Sequence, residues 1–393
     1  MAQSKLHPID LPSPLLNEGL TAFSLNLYKL FMEGEENIFL SPYSVCAALL
    51  LAHLGTKGDS EAQIRKALGL DQMEVELVHK EFQKMRNILN AKTSDSTTLA
   101  IANRIFAKLG LSIRKDYTEK SLLYHGSEME CLDFSGESEK SRQRINTWVE
   151  EQTREKIKNL LPAGSINALT LVVLVNAVYF KGDWDTKFDP KRTEKIDFHI
   201  SNSETVKVDM MQAKKKCRFL RNDELKYSAL MLPYKDGNLS MVIVLPYEQN
   251  GLKDVEKTLT AHALSSLCED LAHGARPEVI IALPKFKMEI TYELTKTLPK
   301  LGISDILQAK KADFGAMLDG HPGSFISDVI HKTFIDVNEE GTEAAAATGM
   351  ILKCRAMPMP PEKFIADHPF LFLIRDNDTG VILFIGRYTK PAK

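Results

Sequence analysis

Residues 341–364 read GTEAAAATGMILKCRAMPMPPEKF. Four alanines in a row suit a helix, yet the stretch also holds threonines, glycines, the triplet Lys353-Cys354-Arg355 and three prolines. Read as a loop, residues 341–363 are too long to be mere connection in a compact protein, where such lengths are usually functional or disordered. Pro358, Pro360 and Pro361 favour an extended exit over a helix. Read as a strand, Thr342, Ala344, Ala346, Thr348, Met350 and Leu352 share one face, with Glu343 and Lys353 on the other. The first part has little bulk to force between existing strands. No proline occurs in residues 339–357, so every backbone donor there is free for a ladder. The segment is therefore predicted to be a loop in one state and an added strand in another.

Around it the chain is ordinary in composition, with 393 residues, 44% hydrophobic and 26% charged. This is ample for a large core. A formal net charge of −2 argues against wholesale electrostatic binding to nucleic acid or membrane. The first twenty residues lack an unbroken signal-peptide core, and no apolar run has membrane-spanning length, so a cytoplasmic monomer is expected. Cys46, Cys131, Cys217, Cys268 and Cys354 are odd in number and widely spaced without a CxxC, which disfavours a disulfide framework or zinc site. The sequons at Asn238 and Asn377 matter only in a secreted protein.

No linker or repeat divides the chain, so one domain spanning residues 1–393 is expected. The first third is mostly helical in pattern. Leu16, Leu20, Phe23, Leu27 and Phe31 recur on one face of residues 14–32. Ser41-Pro42 starts a second helix as cap and first turn, and Ser60 opens a third that ends at Gly69. Residues 140–161 predict another helix around Ile145, Trp148, Val149 and Ile157. From residue 170 strands dominate. TLVVLVNAVYF (170–180) suits a central strand covered on both faces. Residues 229–247 predict a hairpin at Asp236-Gly237; residues 278–290 and 370–388 add strands, the latter turning at Gly380. Helices first and strands later indicate an α+β fold.

A search for chemistry returns little. GxSxG, HExxH, P-loop, GxGxxG and EF-hand patterns are missing, and no histidine pairs with a cysteine or carboxylate at ligand spacing. The sequence points away from an enzyme, and no cofactor or metal is expected. Basic clusters at Lys214-Lys215-Lys216-Cys217-Arg218 and Lys191-Arg192 read as solvated strand ends, or else as a polyanion site. His79, Lys80, Lys84 and Arg86 read as a solvated helix face.

Several long segments, in order, resemble the serpins, most closely the intracellular ovalbumin-type branch. They are NIFLSPYSVCAALLLAHLGTKG from residue 37, LVNAVYFKGDW from 174, LPKFKMEITYEL from 283, HKTFIDVNEEGTEAAAATG from 331 and FIADHPFLF from 364. The resemblance implies three β-sheets, eight to nine helices and an exposed reactive-centre loop, about residues 341–363, that can insert into the large central sheet. Counting the family's hinge-to-bond segment from Glu339 puts the specificity residue at Arg355 and the scissile bond at Arg355-Ala356. The hinge then comprises Glu339, Glu340, Gly341, Thr342, Glu343, Ala344, Ala345, Ala346, Ala347 and Thr348, small in the manner of inhibitory members. A serine protease would attack the Arg355 carbonyl, and insertion would trap the acyl-enzyme. Ser41, Ser44, Asn176 and His331 match the polar cluster beneath the sheet that controls its opening. Trp184, Lys285 and Glu339 match the region where the loop first inserts, with Lys285 and Glu339 expected to pair. Taken without the family, each is an ordinary cap, core or surface residue.

Arg355 implies trypsin-like targets, because an aspartate-bottomed pocket takes a guanidinium best. Lys353 is a second cleavage candidate. Cys354 is either a small filler or a redox-sensitive thiol beside arginine, with Met350, Met357 and Met359 as oxidisable neighbours. The resemblance also implies a monomer that can polymerise by loop–sheet insertion. Two other readings stay open: a non-inhibitory member with a binding, storage or chaperone role, and a cross-class inhibitor of papain-like cysteine proteases.

Overall fold

The computed structural model describes residues 11–92, 94, 96–320, 323–340 and 360–391. Among them are three sheets and eight α-helices, numbered with the strands in chain order. The run at 170–180 becomes β4 (Val172–Gly182), the middle strand of a five-stranded sheet. Its order is β11 (Phe286–Glu293), β12 (Ile326–Val337), β4, β2 (Thr97–Lys108) and β3 (Glu130–Leu132). Alternate residues of β4 serve two cores, as a strand covered on both faces requires. Leu174, Val178 and Phe180 enter the large core; Val173, Val175, Ala177 and Tyr179 enter a smaller one with Ile145, Trp148 and Val149 of α6 (Ser138–Gln152).

A six-stranded sheet closes the other side of the large core. It runs β1 (Ile38–Leu40), β15 (Ile382–Tyr388), β14 (Phe370–Asp376), β9 (Leu239–Pro246), β8 (Tyr227–Pro233) and β7 (Arg218–Asn222). The hairpin expected at Asp236-Gly237 joins β8 to β9 through residues 235–238, with Asp236 and Gly237 both at positive φ (72° and 68°), a conformation that aspartate and glycine adopt more readily than other residues. A third sheet has order β13 (Glu362–Ile365), β10 (Glu278–Pro284), β6 (Thr205–Lys216) and β5 (Glu194–His199). Around these pack α1 (Pro14–Lys29), α2 (Pro42–His53), α3 (Gly58–Ala67), α4 (Val75–Ala91), α5 (Lys115–Lys120), α7 (Leu252–Thr258) and α8 (Ala261–His273). A π-helical turn, Ser121–His125, continues α5. Every residue of α2 is buried, as its apolar composition all round demands.

Three expectations need correction. The helix predicted over 140–161 stops at Gln152, because Arg154 and Glu155 adopt positive φ (53° and 59°). Ile157 is buried in the same small core, but from the irregular return segment. The strand predicted over 278–290 is two strands in different sheets, β10 and β11, parted at Lys285. Finally, the helical first third contains the twelve-residue strand β2.

Candidate functional site

One polar row crosses the middle of the five-stranded sheet. Strand register places Tyr292 beside His331, His331 beside Asn176 and Asn176 beside Asn103, on β11, β12, β4 and β2. Helix α2 docks its first turn beneath this row. Ser41 caps the helix, its Oγ accepting from the Ser44 backbone N–H (3.3 Å) and donating to Leu383 O (2.8 Å). The Ser41 backbone N–H donates to His331 Nε2 (3.1 Å). Nε2 is thereby the bare acceptor, so the proton sits on Nδ1, which donates to Asn176 Oδ1. Asn176 Nδ2 donates to Ser44 O (2.8 Å), Ser44 Oγ (2.5 Å) and Asn103 Oδ1. His331 is fully buried, and burial depresses its pKa to about 3, so it is neutral here. The four residues expected to meet do meet. Asn103 was missed, because nothing marked its segment as a strand; register opposite Asn176 was the only signal.

A second cluster sits at the end of β12 nearest the Gly341 segment. Trp184 stacks on Tyr234 (4.7 Å between ring centroids, 8° between planes). Its indole N–H donates to Asn338 O (2.9 Å). Lys285 Nζ lies 2.7 Å from Glu339 Oε2, the expected pair. Thr193 Oγ1 donates to the other carboxylate oxygen (2.6 Å). Burial pushes the Glu339 pKa up, but hydrogen bonds from Lys285 and Thr193 outweigh it and hold the carboxyl below its ordinary value. The Glu340 backbone N–H donates to Asn338 Oδ1 (2.9 Å). Trp184, Lys285 and Glu339 are thus brought together just past the end of β12, the strand that carries His331.

Between these clusters runs a seam. Strands β12 and β4 are parallel and pair from Ile326–Val172 to Ile335–Phe180. Beyond Ile335 the strands part: Asp336 and Val337 pair only with β11. A cavity of about 480 Å³ fills the gap, lined by Phe180, Gly182, Trp184, Lys287, Val337 and Asn338 among others. Helix α6 and its return segment lie over the sheet. The return segment is held by Lys332 Nζ donating to Lys158 O (3.0 Å) and Arg154 donating to Thr98 Oγ1 (2.8 Å).

Residues 341–359, with Arg355, Ala356, Lys353, Cys354 and most of the hinge, lie outside the described residues. The chain resumes at Pro360 and enters the third sheet as β13, parallel to β10. In the basic cluster Lys214 pairs with Glu278 (2.8 Å) and Arg218 donates to Gly274 O (2.6 Å). Lys215 lies over the Phe188 ring (4.1 Å) and donates to Thr186 O (2.8 Å); burial lowers its pKa to about 8. The reading of His79 as solvated is corrected. It is buried, bonded through one ring nitrogen to His53 and through the other to His125, both at 3.0 Å. Cys46, Cys131, Cys217 and Cys268 are free thiols. No helix of the described residues is long and apolar enough to cross a membrane.

The family model described as Serpin (serine protease inhibitor) matches residues 18–391. Leukocyte elastase inhibitor of Homo sapiens is 40% identical over 389 residues, covering 96% of this chain and 99% of that protein. Human Serpin B4 is 38% identical over 391 residues, with the same coverage. Among solved structures, uncleaved ovalbumin superposes with a TM-score of 0.85 at 28% identity, covering 96% of this chain and all of that one. Serpin48 of the insect Tenebrio molitor gives 0.81 at 34% identity, covering 96% and 98%.

Proposed function

The chain belongs to the serpin family of serine protease inhibitors, and from that premise we propose that it traps trypsin-like proteases irreversibly at Arg355-Ala356. The protease serine attacks the Arg355 carbonyl carbon, the bond to the Ala356 nitrogen breaks, and an ester links Arg355 to the enzyme. Residues from 341 onward then enter between β12 and β4 as an antiparallel strand, carrying the tethered protease with them. This exchanges one parallel pairing for two antiparallel ones, the slightly more stable kind. Distortion of the protease's catalytic geometry by even about 1 Å slows deacylation severely.

The observation that carries the reading is the β12–β4 seam, open at the end where β12 runs on toward the small residues 341–348. Target choice rests on Arg355. The relatives include inhibitors named for leukocyte elastase, whereas arginine fits a pocket with an aspartate at its base and not elastase's small one. Free thiols at the four described cysteines support a reducing, cytoplasmic setting.

The test is to mix the protein with a slight deficit of trypsin, or of leukocyte elastase, and run a denaturing gel. A band at the summed mass with trypsin, and a released peptide beginning at Ala356, is expected. Cleavage at that bond with trypsin still active would make the chain a substrate only. A stable complex with elastase but not trypsin would overturn the Arg355 assignment.

A further inference from the structure

Three histidines from three elements form one hydrogen-bonded chain. His53 ends α2, His79 sits in the second turn of α4, and His125 ends the π-helical turn. His53 Nδ1 lies 3.0 Å from His79 Nε2, and His79 Nδ1 lies 3.0 Å from His125 Nε2. His53 and His79 are buried and His125 is half-buried. The two end nitrogens, His53 Nε2 and His125 Nδ1, are shielded from solvent without a hydrogen-bond partner among the described residues. The charged groups facing the chain are Glu61 and Arg65 of α3 at the His53 end, Lys120 of α5 near His79, and Arg86 of α4 beside His125. Tyr124 stacks on His79 with 5.8 Å between ring centroids.

Such a chain has a fixed capacity for protons. Each imidazole–imidazole link holds one proton between two nitrogens, and two N–H groups facing each other would repel. With both links intact the three rings carry at most four ring protons, one more than three neutral rings have. That fourth proton is opposed at either end. At His125 Nδ1 it meets the Arg86 cation; at His53 Nε2 it is buried, 3.7 Å from a Glu61 carboxylate that already pairs with Arg65 (3.1 Å). A fifth proton breaks a link. Burial first, and a neighbouring ring or cation after it, accordingly lowers the pKa of each ring to about 3. Little else fastens the turn. Its Leu122 and Leu123 are exposed, and Gln83 donates to Leu123 O (2.8 Å). Segments with few buried apolar contacts are the ones that open locally.

We propose that the imidazole chain is an acid-released latch, which fastens the π-helical turn and the first half of α4 to α2 at neutral pH and frees them together in acid while the three sheets stay closed. Release also withdraws Ser127, whose Oγ donates to Asn103 O (3.0 Å), from the strand that carries one end of the polar row. The direction follows from which state refuses protons. Freed imidazoles titrate near about 6.5 and latched ones near 3, so opening takes up protons below pH 6.5 and is favoured as pH falls. Between pH 7.5 and 5.5 each freed ring multiplies the opening constant about tenfold. The buried pair alone gives about a hundredfold, and all three rings about a thousandfold. The latch is independent of the reactive-bond assignment, since neither Arg355 nor the seam takes part.

Amide hydrogen exchange of the full chain at pH 7.5, 6.5 and 5.5, read by mass spectrometry with the intrinsic exchange rates divided out, tests this. Peptides covering residues 75–82 and 121–127 should share one opening constant that rises about a hundredfold to a thousandfold over that range. Helix α6, which contains no histidine, should change by less than about threefold. His79→Gln should cut the acid response of both peptides at least about tenfold, since one titrating ring and both links are lost. If H79Q does not fold, His125→Gln carries the same test from the end of the chain. Three results would each overturn the proposal. The first is an acid response no larger than that of α6, and the second is an undiminished response in the variant. The third is an opening constant equal to that of β4 at every pH, which would mean that acid only unfolds the whole chain.

Discussion

A buried histidine with both ring nitrogens engaged cannot gain a proton without losing a hydrogen bond. His331 accepts at Nε2 and donates at Nδ1; His79 is bonded at both nitrogens. Burial depresses His53, His79 and His331 to about 3, against about 6.5 in an unfolded chain. Below pH 6.5 the unfolded state therefore binds protons that the folded state refuses. Stability from these groups is fully present above pH 6.5 and falls as pH drops toward 3, by up to about 1.4 kcal/mol per pH unit for each. Urea midpoints between pH 7.5 and 5.5 should decline on that account, and His331→Gln should remove about one proton's worth of slope. An unchanged slope would show that His331 does not titrate on unfolding. Glu339→Gln is a second residue-scale case. It removes the charge that Lys285 and Thr193 face, and a loss of about 1–2 kcal/mol in urea unfolding is expected, modest because Lys285 is partly exposed. Legibility at this scale was uneven. Ser41 could be read from the Ser-Pro start of a helix and Glu339 from a long motif. His79 could not, since its burial depends on α4 facing α2, and adjacent Lys80 and Lys84 made the helix look solvated there.

At the level of elements, the parallel pairing of β12 and β4 is the line along which the proposed insertion opens the five-stranded sheet. Each has an antiparallel neighbour on its outer side, β11 and β2, running over eight and eleven residue pairs. A strand entering the seam must donate backbone N–H groups to both sides, so one proline in it removes a ladder bond and stiffens the wrong geometry. Ala346→Pro is therefore expected to leave cleavage at Arg355-Ala356 intact while lowering the yield of stable complex more than about tenfold, read as moles of inhibitor consumed per mole of trypsin silenced. Equal yield would mean that the segment past Ala346 does not need to enter the sheet. The segments that were legible have one dominant local signal: β4 its unbroken apolar run, the β8–β9 hairpin its Asp-Gly turn, α2 its cap and proline. Those that were not are decided by tertiary partners. Strand β2, with Asn103 and Arg104 in mid-run, is a strand because β4 pairs with it over its length. The 278–290 run divides at Lys285 because its two halves find different sheets.

Taken as a whole, the molecule joins distant parts of the chain in ways no local pattern announces. Strand β1 pairs with β15, and Ser41 reaches both Leu383 and His331. The α+β class followed from the order of patterns, but the three-sheet arrangement came from family motifs and not from spacing. On the proposed mechanism, a five-stranded sheet with an open seam, continuing into a segment suited to a sixth strand, gains free energy when cleavage lets that segment insert. At about 1 kcal/mol net for each new backbone hydrogen bond, about ten such bonds give about 10 kcal/mol. An unfolding entropy of about 2.1 cal/mol/K per residue, over 393 residues, is about 0.8 kcal/mol/K. The chain cut at Arg355-Ala356 should then melt roughly 12 °C above the intact chain. Scanning calorimetry of the protein before and after limited trypsin treatment, with the cut confirmed by the peptide beginning at Ala356, measures this directly. A midpoint that stays put or falls after that cut would mean the loop remains outside the sheet, and trapping by insertion would have no energy source.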